Sequence, residues 1–229
     1  LYMDTGTTYA YYQGYNANTL WSLQYKGLKN TGSETSPKMR PVVLGPEGAY
    51  CDFLSWVTGG DPTTYLVNQG TVVAPFTLGF NGNFKIYDFD LSYSFTGKFG
   101  HVFRGFGFNY PYSYDTMPNK ALSEIMASDG STLATPHPFD AGEDRYYFWD
   151  RFYPYLDYLT QSASHLRLQE LNVAYTLPRR YADRIGLSNI KVYLQGNNLF
   201  VISGNKWHED PEYPLGSVRP SPAYTLGLN

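Results

Sequence analysis

The sequence has 229 residues, enough for one sizeable domain or a piece of a larger protein. Aromatic residues make up 18% of it and charged residues only 16%, against about 25% in an average soluble domain. The net charge is −3 and no run of Lys or Arg forms a basic stripe, which excludes a nucleic-acid partner. Cys51 is the only cysteine, so an internal disulfide is impossible and a cysteine-based zinc site is not expected.

The sequence shows neither a spanning helix nor a signal peptide. Its longest apolar stretches, such as Val72–Phe76, are far shorter than the ~18 residues that a spanning helix needs. The first residues lack the basic start and apolar centre of a secretory signal. A location at the bacterial surface would therefore require that the natural N-terminus lies upstream of Leu1.

The first predicted strand, Leu20–Lys26, is followed by a long connection, Lys29–Ala74. A hairpin comes next. Apolar and polar residues alternate through Phe76–Ile86, and the alternation resumes in Phe89–Phe99. Only Tyr87–Asp88 separates the two segments. This period-2 pattern with a two-residue loop predicts two long antiparallel strands.

The connection after this hairpin, Gly107–His165, is long and contains the richest aromatic block, Tyr146–Tyr158. A short helix is predicted over Lys120–Ala127, after the capping residue Asn119. The acidic run Asp140–Arg145 offers oxygen ligands that Ca²⁺ accepts. Because its spacing matches no recognised calcium loop, a solvated turn is the preferred interpretation.

Three further strands are predicted, over Leu166–Leu177, Ile190–Ile202 and Ala223–Leu228. The apolar parity of the first changes at Gln169–Glu170, which predicts a β-bulge. The connection Arg179–Asn189 is short and is expected to contain one helical turn closed by Gly186. The connection Ser203–Pro222 is long.

Two architectures fit strands that have one apolar and one polar face. The apolar face can meet lipid while the polar face lines a wet lumen, or it can pack inward in a soluble sandwich. Short and long connections alternate along the chain, as in outer-membrane barrels with short periplasmic turns and long extracellular loops. We therefore predict an all-β, antiparallel transmembrane β-barrel segment with long extracellular loops. The alternative is a secreted carbohydrate-binding or glycan-hydrolysing β-sandwich.

Five motifs, in order, resemble the C-terminal portion of the SusC/RagA family of TonB-dependent outer-membrane transporters. They are GYNANTLWSLQYKGLKNTG from Gly14, PFTLGFNGNFKIYDFDLSYSFTGKFG from Pro75, the stretch Ser164–Gly204, EDPEYP from Glu209 and SPAYTLGLN from Ser221. The third motif carries the most matches, namely Leu166, Arg167, Leu168, Tyr175, Leu177, Pro178, Gly186, Val192, Tyr193, Gly196, Asn198, Leu199 and Phe200.

The resemblance implies import of oligomeric nutrients, glycan or peptide, across the bacterial outer membrane. It implies capture under a SusD-like surface lipoprotein and energy from TonB acting on a plug domain, with no cofactor and no enzymatic chemistry. The family's plug and earlier strands do not occur in residues 1–229. We therefore expect these residues to be the C-terminal part of a longer barrel, with its final residues truncated.

Aromatic residues of the long loops are the candidates for contact with substrate or with the lipoprotein. They are Tyr147, Trp149, Phe152, Tyr153 and Trp207. Rings can stack on sugar faces, but packing of the block against the barrel rim or the lipoprotein is the preferred interpretation.

No metal or catalytic site is predicted from the histidines or the later acidic loop. The four histidines, His101, His137, His165 and His208, show no metal-ligand or triad spacing. The stretch Asn205–Glu212, NKWHEDPE, resembles a ligand cluster but is expected to be a solvated loop.

Overall fold

The computed structural model describes residues 12–30, 33–36, 39–48, 50–51, 61–105, 155–187, 190–213 and 218–229. Strands dominate these residues and pair antiparallel, which confirms the predicted fold class. None of the helices in these ranges is long and apolar enough to cross a membrane. The chain divides into two compact units, Leu1–Val73 with Val102–Ser162, and Ala74–His101 with Ala163–Asn229.

The strands in chain order are β1 (Thr19–Leu23), β2 (Tyr25–Asn30), β3 (Met39–Leu44), β4 (Tyr50–Cys51), β5 (Leu66–Thr71), β6 (Phe76–Ile86), β7 (Phe89–Phe99), β8 (Val102–Arg104), β9 (Thr160–Ser162), β10 (His165–Thr176), β11 (Lys191–Ser203) and β12 (Ala223–Leu228). A short helix, α1 (Arg179–Ala182), lies between β10 and β11.

The first unit contains three small sheets, β1–β5, β2–β3–β4 and β8–β9. Its core is built around β1, whose five residues are all buried. Leu20, Trp21 and Leu23 are at most 2% exposed, as are Leu156 and Leu159 from the segment before β9. The hydrophobic residues of this short strand are thus enclosed on both faces.

Two predictions for the first unit are wrong. The strand predicted over Leu20–Lys26 is interrupted at Gln24 and becomes β1 and β2. The connection predicted over Lys29–Ala74 contains β3, β4 and β5. These strands do not alternate cleanly, because β1 is buried on both faces and β3 carries Pro41, so the period-2 pattern does not reveal them.

The second unit is a five-stranded antiparallel sheet in the order β12-β11-β10-β7-β6, called here the large sheet. Its β6–β7 hairpin has the predicted bounds, with pairs from Phe76 with Phe99 to Ile86 with Phe89. Tyr87 makes the tight turn with a φ of 54°. The predicted bulge is confirmed, since the register of β10 shifts between Leu168 and Glu170 against both of its neighbours.

The connection between β10 and β11 is short and helical, as predicted. Helix α1 continues into a 3-10 turn, Asp183–Ile185, and Gly186 closes it in the left-handed region at φ 75°. The strand β12 has the predicted bounds, and β10 and β11 differ from theirs by one residue at each end.

The connection predicted over Gly107–His165 needs one correction, because its last part forms β9, which pairs with β8. These strands have three residues each, too few for periodicity to show. The predicted helix Lys120–Ala127 and the acidic run Asp140–Arg145 lie outside the described residues.

Candidate functional site

One face of the large sheet is apolar across all five strands. Strand pairing aligns Phe84, Leu91, Val173, Leu194 and Leu226 in a single row from β6 to β12. Parallel rows run through Phe80, Phe95, Leu168 and Phe200, and through Ile86, Phe89, Tyr175, Val192 and Leu228. The bulge in β10 is what keeps these rows in phase, because it shifts the parity of that strand once. We call this surface the apolar face.

The apolar face is exposed. Its large side chains that are at least 50% exposed are Phe76, Leu78, Phe80, Phe84, Ile86, Phe89, Leu194, Ile202, Tyr224, Leu226 and Leu228. A soluble sandwich buries the matching face of its sheet against a second sheet. An exposed apolar surface of this extent is typical of contact with a partner or a membrane.

The opposite face, called the polar face, carries amides and hydroxyls. One row contains Asn83, Ser92, Asn172, Gln195 and Thr225, and the next contains Asn81, Ser94, Glu170 and Asn197. Gln195 Nε2 donates to Glu170 Oε1 at 3.1 Å, and Gln169 Nε2 donates to Thr96 Oγ1 at 3.1 Å. Such groups both donate and accept hydrogen bonds, so this face suits water or a polar solute.

Part of the polar face is concave. Asn81, Asn83, Ser92, Ser94 and Glu170 line an open depression of about 470 Å³. The Oδ1 atom of the neighbouring Asn172 is buried without a hydrogen-bond partner. Gly82 and Tyr93 complete its lining, and the depression is wide and open rather than enclosed.

Arg167 fixes the loop after β11 to one end of the polar face. Its Nη2 donates to both carboxylate oxygens of Asp210, at 2.6 and 2.8 Å, and its Nε donates to Glu212 Oε2 at 3.0 Å. The side chains of Arg167 and Asp210 are each only 3% exposed. Tyr213 lies over the guanidinium, with its ring centre 5.5 Å from Cζ. One guanidinium nitrogen thus holds both oxygens of Asp210 and another holds Glu212, so Arg167 bridges two carboxylates through charge-assisted hydrogen bonds.

Glu212 connects this pair to β7 and to the start of β10. Lys98 Nζ lies 2.5 Å from Glu212 Oε1, and His165 Nε2 lies 3.7 Å from the same oxygen. Burial raises the pKa of Glu212, but the hydrogen bond from Lys98 and the charges of Lys98, Arg167 and His165 outweigh it and hold that pKa below its usual value. We call Lys98, His165, Arg167, Asp210 and Glu212 the loop anchor.

His101 lies beside the loop anchor, with its ring centre 6.1 Å from that of His165. Burial lowers the pKa of His101, and the charges of His165 and Lys98 add to this effect against an opposing pull from Glu212. Nδ1 of His101 is buried without a hydrogen-bond partner. A second positive charge is therefore disfavoured at this position.

The stretch Asn205–Glu212 is not the solvated loop that its polarity suggests. Asn205 closes it by accepting from the Glu209 amide at 2.8 Å and donating to the Glu209 carbonyl at 2.7 Å. Asn205, Trp207 and Asp210 are all buried. Arg167 provides the physical reason, because a buried guanidinium draws the acidic side chains of the loop onto the sheet.

Of the five predicted contact residues, the structure places one. Trp207 is buried at 8% exposed, and Lys206 Nζ lies 5.6 Å from its ring centre. In this conformation the ring presents little surface to a ligand. Tyr147, Trp149, Phe152 and Tyr153 lie outside the described residues and stay predictions. Within the described ranges, no three His, Cys, Asp or Glu side chains come together as a metal site.

Sequence reasoning did not find the loop anchor as a unit. Arg167 and the Glu209–Pro214 motif each match the family pattern, but nothing in the sequence pairs Arg167 with Asp210, which lies 43 positions away. Arg167 alternates with Leu166 and Leu168 as any polar-face residue would, so the sequence pattern does not mark its side chain as buried.

No protein-family model matches the chain, and no curated protein matches it. Solved structures do match. The chain is similar to the RagAB peptide transporter, with a TM-score of 0.60, 17% identity and coverage of 99% of this chain and 24% of that chain.

Two further states of the same system match as well. For the RagAB peptide importer in its open-open state the TM-score is 0.58 and the identity 16%, over 98% of this chain and 24% of that one. For the closed-closed state the values are 0.56 and 16%, over 97% and 25%. The chain therefore spans about a quarter of the length of the transporter chains it matches. The predicted resemblance is thus confirmed for the fold, which is similar to part of a SusC/RagA-type chain.

Proposed function

We propose that this chain is the C-terminal part of a SusC/RagA-type, TonB-dependent transporter in the bacterial outer membrane, and that the transporter imports oligomeric nutrients. The observation that carries the proposal is the large sheet, with a continuous exposed apolar face and an amide-rich opposite face. Lipid would cover the first face, and a hydrated lumen would lie along the second. The protein performs no covalent chemistry.

The strand lengths support a membrane location. β6 and β7 have 11 residues each, β10 has 12 and β11 has 13. A transmembrane β-strand needs ~9–11 residues when tilted. The secreted β-sandwich, whether carbohydrate-binding or glycan-hydrolysing, is disfavoured because it requires this apolar face to be buried.

The sequence motifs and the matched structures support the proposed partners. The SusC/RagA resemblance supports a SusD-like surface lipoprotein above the transporter and TonB acting on a plug region. Among substrates, oligopeptides are the first candidate, since the matched structures are named as peptide importers. Oligosaccharides are the second.

Uptake measurements test the proposal. Cells that lack the gene, and the same cells carrying it on a plasmid, should be given labelled oligopeptides and labelled oligosaccharides. We expect gene-dependent and TonB-dependent uptake of one class, with the protein recovered from the outer membrane only in detergent. Recovery as a soluble protein without detergent would contradict the proposal and favour the sandwich. Gene-dependent uptake of oligosaccharides alone would retain the transporter and replace the peptide assignment.

A further inference from the structure

The two short connections of the large sheet, β6–β7 and β10–β11, lie at the same end of its strands, which is called here the turn end. Thr176 donates its amide to the Asp88 carbonyl at 2.8 Å, which joins the β10–β11 connection to the β6–β7 turn. Lys191 and Asn229 exchange two backbone hydrogen bonds of 2.8 Å, which places the end of β12 there too. The β6–β7 turn, helix α1 and the end of β12 therefore share one edge of the molecule.

The turn end carries exposed positive charge. Arg179, Arg180 and Arg184 are all exposed. In the described part of the chain, no carboxylate lies within ion-pair distance of any of the three. Arg180 instead lies over the ring of Tyr181, with Cζ 4.6 Å from the ring centre.

Nearby charges do not cancel this excess. Lys191 is already paired with Asp90 at 2.6 Å. The remaining exposed charges of the turn end are Lys85, Asp88 and Asp183. Four unpaired cations thus stand against two carboxylates, which leaves a net charge of about +2 at this edge, in a protein whose overall charge is −3.

Exposed apolar groups adjoin these arginines. Tyr181, within α1, is 44% exposed, and Leu187, five residues after α1, is 51% exposed. Tyr87 at the hairpin is 91% exposed, and Leu228 at the end of β12 is 74% exposed. The turn end therefore carries exposed apolar side chains as well as exposed positive charge.

We infer that Arg179, Arg180 and Arg184, with Tyr181 and Leu187 beside them, bind the headgroups of anionic phospholipids at the membrane surface that borders the turn end. This inference rests on the proposed function, because it takes the apolar face to lie in a bilayer. Guanidinium groups match phosphate oxygens bidentately, and tyrosine rings settle at the level of the headgroups. Leucine inserts among the first acyl carbons.

A phospholipid is a better ligand for the three arginines than a free phosphate ion. The three arginines lie on a solvent-exposed turn, so a free phosphate ion would have only exposed charges to bind. A phospholipid adds its acyl chains, which the adjoining apolar face would cover. Basic residues at a charged membrane surface strengthen lipid binding by about fivefold each.

Reconstitution tests this inference. The complete protein should be placed in nanodiscs of phosphatidylcholine with a minor fraction of phosphatidylglycerol, and retained phosphatidylglycerol should be counted by native mass spectrometry. We expect the triple variant Arg179→Gln, Arg180→Gln, Arg184→Gln to retain at least about tenfold less than the wild type. The triple Arg→Lys variant should stay within about threefold of the wild type, because it keeps the charges.

Two controls define the specificity. Lys206→Gln removes an exposed charge at the opposite end of the same sheet and should leave retention unchanged. Asp183→Asn removes a carboxylate from the same turn and should raise retention by about twofold. Unchanged retention in the triple Gln variant would overturn the inference, as would an equal loss in Lys206→Gln. Displacement of the lipid by millimolar inorganic phosphate would also overturn it, in favour of a free-phosphate site.

Insertion itself is measured in the same samples, by the slower migration of unheated protein in electrophoresis. A wild-type protein that does not insert contradicts the proposed function, and this inference with it. A wild-type protein that inserts without any preference for phosphatidylglycerol contradicts this inference alone.

Discussion

The loop anchor and the turn end lie at opposite ends of the same strands and treat charge in opposite ways. In the loop anchor, Arg167 and Asp210 are almost fully buried and form an ion pair with each other. At the turn end, Arg179, Arg180 and Arg184 are exposed, and in the described residues no carboxylate lies within ion-pair distance of them. A buried charge must be paired within the protein, whereas an exposed charge remains available to the surroundings. The first end is thus fixed by its own residues, and the second is open to a partner.

The largest loss of stability is expected from removing the buried ion pair of the loop anchor. Asp210→Ala leaves the guanidinium of Arg167 buried without its buried carboxylate partner, which should cost ~3–5 kcal/mol of unfolding free energy. Arg219→Gln is the matched control, since Arg219 reaches the same carboxylate at 3.5 Å but is 48% exposed. It should cost less than ~1 kcal/mol. Guanidinium chloride unfolding in detergent measures both, and equal costs would refute the buried pair as the main contributor.

A second test extends the comparison from the two ends to the two faces. Phe80 and Asn81 are neighbours near the middle of β6, on the apolar and the polar face respectively. Phe80→Arg would place a charge in lipid and should impair assembly by ~2–4 kcal/mol, as seen in the fraction of unheated protein that migrates as folded. Asn81→Arg would place the same charge on the hydrated side and should be tolerated. Equal damage from both substitutions would contradict the assignment of the faces.

The sequence predicts the large sheet well because the pattern of apolar and polar residues in each strand reflects which of its side chains lie on the apolar face. Alternation in Phe76–Ile86 and Phe89–Phe99 follows directly from one apolar and one polar face, and the bulge follows from the parity change at Gln169–Glu170. These signals are local, so no knowledge of distant residues is needed.

The strands of the first unit and the loop anchor are not predicted from the sequence, because they depend on residues that are distant in the chain. β1 is buried on both faces, so its side chains carry no alternation, and its partner β5 lies more than 40 residues away in the chain. Arg167 likewise finds Asp210 only through the folded path of the loop after β11. Pairing at a distance is a property of the tertiary structure, and a single sequence does not contain a direct sign of it.

A third, smaller effect is expected in the middle of the sheet, between the two ends. Tyr93 covers its cross-strand partner Gly82, and a Cβ added there would lie 2.3 Å from the tyrosine ring. Gly82→Ala should therefore displace the ring and cost ~1–2 kcal/mol. Gly79→Ala is the control in the same strand, because nothing lies within 4 Å of an added Cβ. In a Tyr93→Ala background the cost at Gly82 should vanish, and a cost that persists would point to the backbone instead of the ring.

The smallest effect is the pH dependence of the loop anchor, which has no counterpart at the turn end. The pKa of Glu212 is held below its usual value of 4.5, so its stabilisation is complete above that pH and is lost as the pH falls through the lowered value. The pKa of His101 is also lowered, from 6.5, so the unfolded chain takes up this proton first and stability begins to fall below about pH 6.5.

These two groups predict two separate steps as the pH is lowered, which unfolding curves measured from pH 8 to 3 would resolve. His101→Gln should remove the upper step and keep the lower one, because the glutamine cannot gain a charge beside Lys98 and His165. Glu212→Gln should reduce the lower step and lower the stability near neutral pH, since Lys98 and Arg167 then lose an ionised partner. Neutralising Arg179, Arg180 and Arg184 should alter neither step, because arginine stays charged throughout this range. A step that disappears with those arginines would show that the two ends are coupled, and the comparison between them would have to be abandoned.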